Sequence, residues 1–163
     1  MSSLPVERVK AAFALENTGL DFAGPIYVRR RRTCEKAYIC LFTCMTTRAI
    51  HLELVTDMTA ARFVLALRRF FARRGRPAII QSDNFKTFKS ASRELQQLFS
   101  EDNSEVIQRE LTNHRVRWKF ITERAPWTGG YWERLVRSVK GPLRKILGGL
   151  RWTKKKRVRY FAT

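Results

Sequence analysis

Three carboxylates stand where they could act together. Asp21 falls at the end of a predicted strand, Thr18 to Phe22, that stops at Ala23-Gly24-Pro25. Asp83 follows the apolar pair Ile79-Ile80 at the end of the fourth predicted strand, and Glu133 heads the last long predicted helix. Ligands of open sheets bind beyond strand ends, so acids projecting there can converge. Three such acids repel one another unless cations lie between them, and carboxylate oxygens with open water positions suit Mg2+ or Mn2+. Two ions about 3.5–4 Å apart can clamp the attacking and leaving oxygens of a phosphodiester. Read singly, each acid has a plainer role. A strand-end Asp serves as a turn or cap residue, and Glu133 as a first-turn acid favoured by the helix dipole. The neighbours bear on the choice: Arg137, Lys140 and Arg144 lie 4, 7 and 11 residues after Glu133 and share its helical face. A lone acid heading a basic stripe reads as a metal ligand leading into a phosphate track. The alternative is a solvent-facing Glu–Arg pair, worth only tenths of a kcal/mol.

The elements that must position these acids follow from hydrophobic periodicity. After the first strand, Arg29 to Arg32 reads as a turn. Lys36 to Thr46 is rich in aromatic and β-prone residues, and Arg48 to Val55 alternates, with Ile50, Leu52 and Leu54 on one face and His51 and Glu53 on the other. Joined at Thr46-Thr47, the two predict an antiparallel hairpin. His51 reads as a packed or hydrogen-bonded sheet histidine. Thr56 to Thr59 offers N-caps for a helix whose inner stripe is Phe63, Leu67, Phe70 and Phe71. Arg68, Arg69, Arg73 and Arg74 load its end, where the dipole favours cations, and Gly75 and Pro77 stop it. Ala78 to Gln81 is a short buried strand; Ser90 to Ser100 and Ser104 to Asn113 read as helices; Arg117 to Ile121 is a strand. Tyr131 to Leu147 closes the order as a helix with Leu135, Val136, Val139, Leu143, Ile146 and Leu147 inward. The order β, β-hairpin, α, β, α, α, β, α predicts an α/β fold, a mixed sheet with helices on its faces.

Composition narrows the partners. The 163 residues carry 33 Lys+Arg against 14 Asp+Glu, a net +19, with 44% hydrophobic and 12% aromatic residues. That is one domain's length with enough apolar content for a core, which excludes an acidic disordered tail. No apolar run approaches the 18 or so residues of a membrane helix, and the N-terminus has no signal-peptide pattern, so a soluble intracellular protein with no membrane partner is expected. Residues 134–163 hold 11 of the basic residues and no acid. A fold this charged calls for a polyanion, and nucleic acid is the commonest one. Cys34, Cys40 and Cys44 lack zinc-type pairing and read as core or surface thiols.

At these residues a resemblance becomes specific. TGLDFAGPIYV, KAYICLFTCMTTRAIHLELV, ALRRFFARRGRP, SDN and WKFITERAPWTGGYWERLVRSVK occur in this order, over roughly residues 4 to 147. Together they resemble the integrase catalytic core of BEL/Pao-type LTR retrotransposons. The resemblance implies a ribonuclease H-like fold with a five-stranded mixed sheet flanked by helices. It implies a D,D,E triad of Asp21, Asp83 and Glu133, holding two Mg2+ or Mn2+ ions. It implies trimming of the element's 3′ end and transfer of that strand into target DNA. Arg137, Lys140 and Arg144 would touch DNA, Asn84 would orient the site, and Trp127 and Trp132 would pack the loop before Glu133 or approach DNA. Trp118, on a predicted strand, reads as core. A homo-oligomer is expected. On this reading 1–17 is an N-terminal extension, 18–148 the core, and 149–163 an irregular basic tail.

Departures from the family pattern point to an alternative, a catalytically impaired, retroelement-derived DNA-binding remnant. The family's SDNG reads Ser82-Asp83-Asn84-Phe85 here, and a bulky residue at a position needing positive φ costs about 1–3 kcal/mol. Pro142 inside the Glu133 helix removes a backbone bond and is expected to kink it near Ser138 to Gly141. Asp83 and Glu133 are separated by 49 residues, longer than usual in integrases, and the helical insert around Ser100 to Asn113 accounts for the excess. A full integrase also carries a zinc-binding N-terminal domain and a C-terminal DNA-binding domain, neither of which is visible. Lys154 to Arg157 reads equally as a nuclear localisation signal, giving an expected nuclear location, or as a solvated tail.

Overall fold

The computed structural model describes residues 12–30, 33–83, 93–121 and 130–146. They form strands β1 (Asn17–Arg30), β2 (Thr33–Cys44) and β3 (Ile50–Val55), helix α1 (Ala60–Arg74), strand β4 (Ile79–Asp83), helices α2 (Arg93–Leu98) and α3 (Glu101–Asn113), strand β5 (Arg117–Ile121) and helix α4 (Gly130–Ile146). The sheet order is β3-β2-β1-β4-β5. β1–β2 and β2–β3 are antiparallel; β1–β4 and β4–β5 are parallel. This is a five-stranded mixed sheet flanked by helices, the ribonuclease H-like arrangement expected from the sequence.

One strand runs further than its turn signals suggest. Ala23-Gly24-Pro25 does not end β1; it makes a bulge, with the register shifting between Ala23 and Ile26, and pairing to β2 resumes through Arg30↔Thr33. Gly24 is required there: it has φ 147°, and a Cβ would fall 2.8 Å from the Tyr38 ring.

The core lies between one sheet face and helices α1 to α3. Phe22, Phe42, Phe63, Phe70, Phe99 and Ile80 are buried in it, as are Cys40 and Cys44, which settles the open choice between core and surface thiols for these two as core. Phe42 stacks on Phe70 with centroids 4.1 Å apart and planes 7° apart. Trp118 packs against this core on Phe99 and donates its indole N–H to Ser82 Oγ at 2.8 Å. Helix α1 starts on Thr59, whose hydroxyl accepts the Arg62 N–H, and ends where the Gly75 N–H returns to the Phe71 carbonyl. Helix α4 stays helical through Pro142. Among the described residues no helix is long and apolar enough to cross a membrane.

The hairpin strand β3 is inverted relative to its hydrophobicity. His51, Glu53 and Val55 are buried, while Leu52 and Leu54 are exposed. Helix α1 supplies the reason. Glu53 accepts from Arg69 Nε at 2.7 Å and Arg73 Nη1 at 3.1 Å, and shares 2.9 Å with His51 Nε2. Arg74 Nε donates to His51 Nδ1 at 3.3 Å, so the Nε2–H tautomer satisfies both ring nitrogens. The ring itself lies against Phe42 and Phe70.

Candidate active site

β1 and β4 are central, parallel neighbours. Their register runs Asn17↔Ile79, Thr18↔Ile80, Gly19↔Gln81, Leu20↔Ser82, and Asp21 and Asp83 are the next residues of the two strands. Parallel pairing with an offset of 62 positions therefore brings Asp21, inside β1, level with the C-terminal end of β4, where Asp83 stands. In β1 the acid lies on the face opposite the α1–α3 core, level with Leu41 of β2.

Helix α4 contacts β1 and β2. Its Lys140 Nζ lies 3.0 Å from Asp21 Oδ2, and both side chains are about a quarter exposed (27% and 21%). Asp21 Oδ1 accepts the Phe22 N–H at 2.7 Å. Glu133 is in the first turn of α4, seven residues and about 10 Å of helix before Lys140. The structure thus brings Asp21 and Asp83 to neighbouring positions and docks α4 on Asp21 through Lys140. Arg137 is exposed one turn before Lys140, and Arg144 is one turn after it in α4. Asn84, Phe85 and Trp127 lie outside the described residues.

The donor set bears on a metal. Among the described residues no group of three or more His, Cys, Asp or Glu is gathered to hold an ion. The core thiol Cys40 is unsuited: burial pushes it well above its usual value, and the charges of Asp21 and Glu53 push it further. Burial raises Cys44 too, but hydrogen bonds from Thr47 and from the Leu15 and Thr46 backbone bring it below its usual value. The part of the site that is described is one partly exposed carboxylate, an oxygen donor of the kind hard ions such as Mg2+ take, and it is paired here with the Lys140 ammonium.

Sequence reasoning missed the Lys140–Asp21 contact and the buried Glu53 cluster. The first had a signal, since Lys140 shares the acid-headed face of its helix. The second had none, because an alternating strand offers no sign that its polar face is the inner one.

With the geometry in hand, the class can be stated: this is the fold of retroviral integrase catalytic cores. A chain of the simian T-cell lymphotropic virus intasome in complex with PP2A regulatory subunit B56 gamma matches with TM-score 0.54 and 17% identity, over 85% of this chain and 41% of that one. The HTLV-2 integrase catalytic core domain in complex with magnesium, in its dimeric form, matches with TM-score 0.54 and 13% identity, over 85% of this chain and 73% of that one. The BIV integrase catalytic core domain matches with TM-score 0.53 and 14% identity, over 82% and 72%. At such identities the likeness is one of fold. This chain spans less than half of the simian virus chain it matches. No protein-family model and no curated protein matches the sequence.

Proposed function

We propose that the chain is the catalytic core of a retroelement integrase of the BEL/Pao LTR-retrotransposon type, acting on DNA ends by phosphodiester transesterification. One observation supports this reading above the others: the β1–β4 register pairs Leu20 with Ser82, the residues just before Asp21 and Asp83, and Lys140 of α4 lies 3.0 Å from Asp21 Oδ2. The integrase-core fold and the motif order support it.

In this reading Asp21, Asp83 and Glu133 are the metal ligands. A pair of Mg2+ or Mn2+ ions held there supplies, when bound, activation of the attacking oxygen and neutralisation of the leaving one. The chain's own residues do the positioning. Two rigid central strands fix the aspartates, so the ligands lose little entropy on assembly. Lys140 and Arg137, with Arg144, hold the DNA phosphates, and Asn84 orients the site, so that the attacking water or 3′-OH lies in line with the scissile P–O bond. As the new P–O bond forms, the opposite one breaks and its 3′ oxygen departs. Neighbours described as an intasome, a dimer and a trimer support a homo-oligomer. A nuclear location follows from the substrate.

The test is a Mn2+-dependent disintegration assay on branched DNA. Strand resealing by the wild type that is lost in Glu133→Gln is expected. DNA binding without turnover, unchanged by that substitution, would overturn the enzyme in favour of a DNA-binding remnant.

A further inference from the structure

We infer that the protein binds a single nucleic-acid strand in a second groove, at the end of the sheet opposite Asp21 and Asp83; the choice of polyanion rests on the reading above. This groove, about 570 Å³, opens where β1, β4 and β5 begin. Some 13 Å of strand separates that end from Asp21. Its lining includes Arg74, Arg76, Arg115, Phe13 and Glu16.

Charge identifies the occupant. Among the described residues no carboxylate lies within ion-pair distance of Arg74, Arg76 or Arg115, whereas Arg68, Arg69 and Arg73 are all paired with glutamates. The one acid of the lining, Glu16, accepts the Phe13 N–H at 3.0 Å. The guanidiniums are not recruited as helix caps either. The Phe71 carbonyl of α1 receives the Gly75 N–H, and the Leu111 and Thr112 carbonyls of α3 receive those of Val116 and Arg115. Among the described residues the forks of Arg76 and Arg115 have unused donors, and Arg74, whose Nε is held by His51 Nδ1, keeps its Nη donors; such groups match phosphate oxygens. Phe13 is 84% exposed at the rim, and an aromatic beside a cationic track is the pairing on which unpaired bases stack.

The groove is also preformed. The Glu16 carbonyl accepts from Ala78 N–H at 2.8 Å and the Ala78 carbonyl from Arg117 N–H at 3.0 Å, which ties the three strand starts together. Among the described residues, two of the three non-glycine residues with positive φ, Leu15 at 68° and Arg115 at 58°, belong to its wall. Such conformations persist where the surroundings over-determine them.

The experiment is fluorescence anisotropy of a labelled 20-nucleotide single strand against salt, on the full chain. Every phosphate that an arginine ceases to neutralise should lower the slope of log K against log salt by about 0.7. Arg76→Gln with Arg115→Gln is expected to lower it by about 1.4, and Phe13→Ala to weaken binding fivefold or more. The control is Arg62→Gln with Arg109→Gln, an equal charge loss on exposed helix faces. If both pairs lower the slope equally, or neither does, the groove is overturned while the nucleic-acid reading stands. If wild-type binding ignores salt, the nucleic-acid reading falls as well. If polyglutamate of matched charge competes as well as the oligonucleotide, the groove is an acidic-protein surface and the proposal fails.

Discussion

Lys140 and Asp21 lie 119 positions apart in sequence and 3.0 Å apart in the fold. An ammonium on a carboxylate competes with any metal that carboxylate would bind, and the same ammonium is proposed to hold a DNA phosphate. Removing it should therefore move two affinities in opposite directions. Lys140→Gln is expected to tighten Mn2+ binding severalfold, measured by titration calorimetry, and to weaken DNA binding by anisotropy. A fall in both would show the lysine to be only a structural prop for α4. Glu53 gives a residue-scale prediction in pH. Burial raises its carboxyl, but Arg69 and His51 more than offset this and hold it below the usual 4.5. Arg68 likewise lowers Glu110, against a smaller effect of burial. A carboxyl whose folded pKa lies below its unfolded one contributes stability that is complete above about pH 4.5 and lost as pH falls through the folded value. Urea unfolding at pH 7, 4.5 and 3 should show stability dropping at the acid end, with Glu53→Gln plus Glu110→Gln flattening the drop. An equally steep drop in that variant would assign it to other groups.

At the scale of elements, the end of α3 is a Schellman turn. The Val116 N–H returns to the Leu111 carbonyl at 2.8 Å and the Arg115 N–H to Thr112 at 2.8 Å, while Leu111 and Val116 join the core. The left-handed position of that turn, where glycine is cheapest, is occupied by Arg115 at φ 58°. Arg115→Gly should stabilise the fold by about 0.5–1 kcal/mol, after the backbone entropy of glycine offsets part of the relief. Thermal melting reads this as a rise of a few degrees. The same variant should bind the single strand less well, so stability and binding move apart. Helix α1 and the hairpin depend on one stacked pair. Truncating fully buried Phe70 removes its contact with Phe42 and the His51 ring, and Phe70→Ala should cost about 3–5 kcal/mol.

For the whole molecule, a net charge of +19 makes the compact state self-repelling, and bound polyanion or metal at the carboxylate edge changes what is stable. A ligand that binds only the folded state stabilises it by RT ln(1 + [L]/Kd), about 2.7 kcal/mol at 100 times Kd. Mn2+ is therefore expected to raise the wild-type Tm by several degrees and to leave Asp83→Asn unmoved. Equal behaviour of the two proteins would remove the aspartate edge as a metal site. The two sheet faces are unequally covered: α1 to α3 pack on one, and on the other only α4 contacts β1 and β2 among the described residues, leaving Leu52 and Leu54 exposed.

Most of the fold followed from the sequence by itself. Local chemistry settles an element's type: the Phe63–Leu67–Phe70–Phe71 spacing can bury one stripe only as a helix, and the strand expected over Arg117 to Ile121 is the strand observed. Asp83 was readable because an apolar run precedes it and β4 ends on it, whereas Asp21, expected at a strand end, lies inside β1, which runs on to Arg30. Three things needed the tertiary structure. A bulge and a strand stop share the signature Ala-Gly-Pro, and only the β2 partner told them apart. The inner face of β3 was set by arginines some twenty residues away on α1, because a buried glutamate is tolerable wherever guanidiniums reach it. And the arginine groove assembles from three loops distant in the chain, so its charge becomes a site only once parallel strand pairing has brought their starts together.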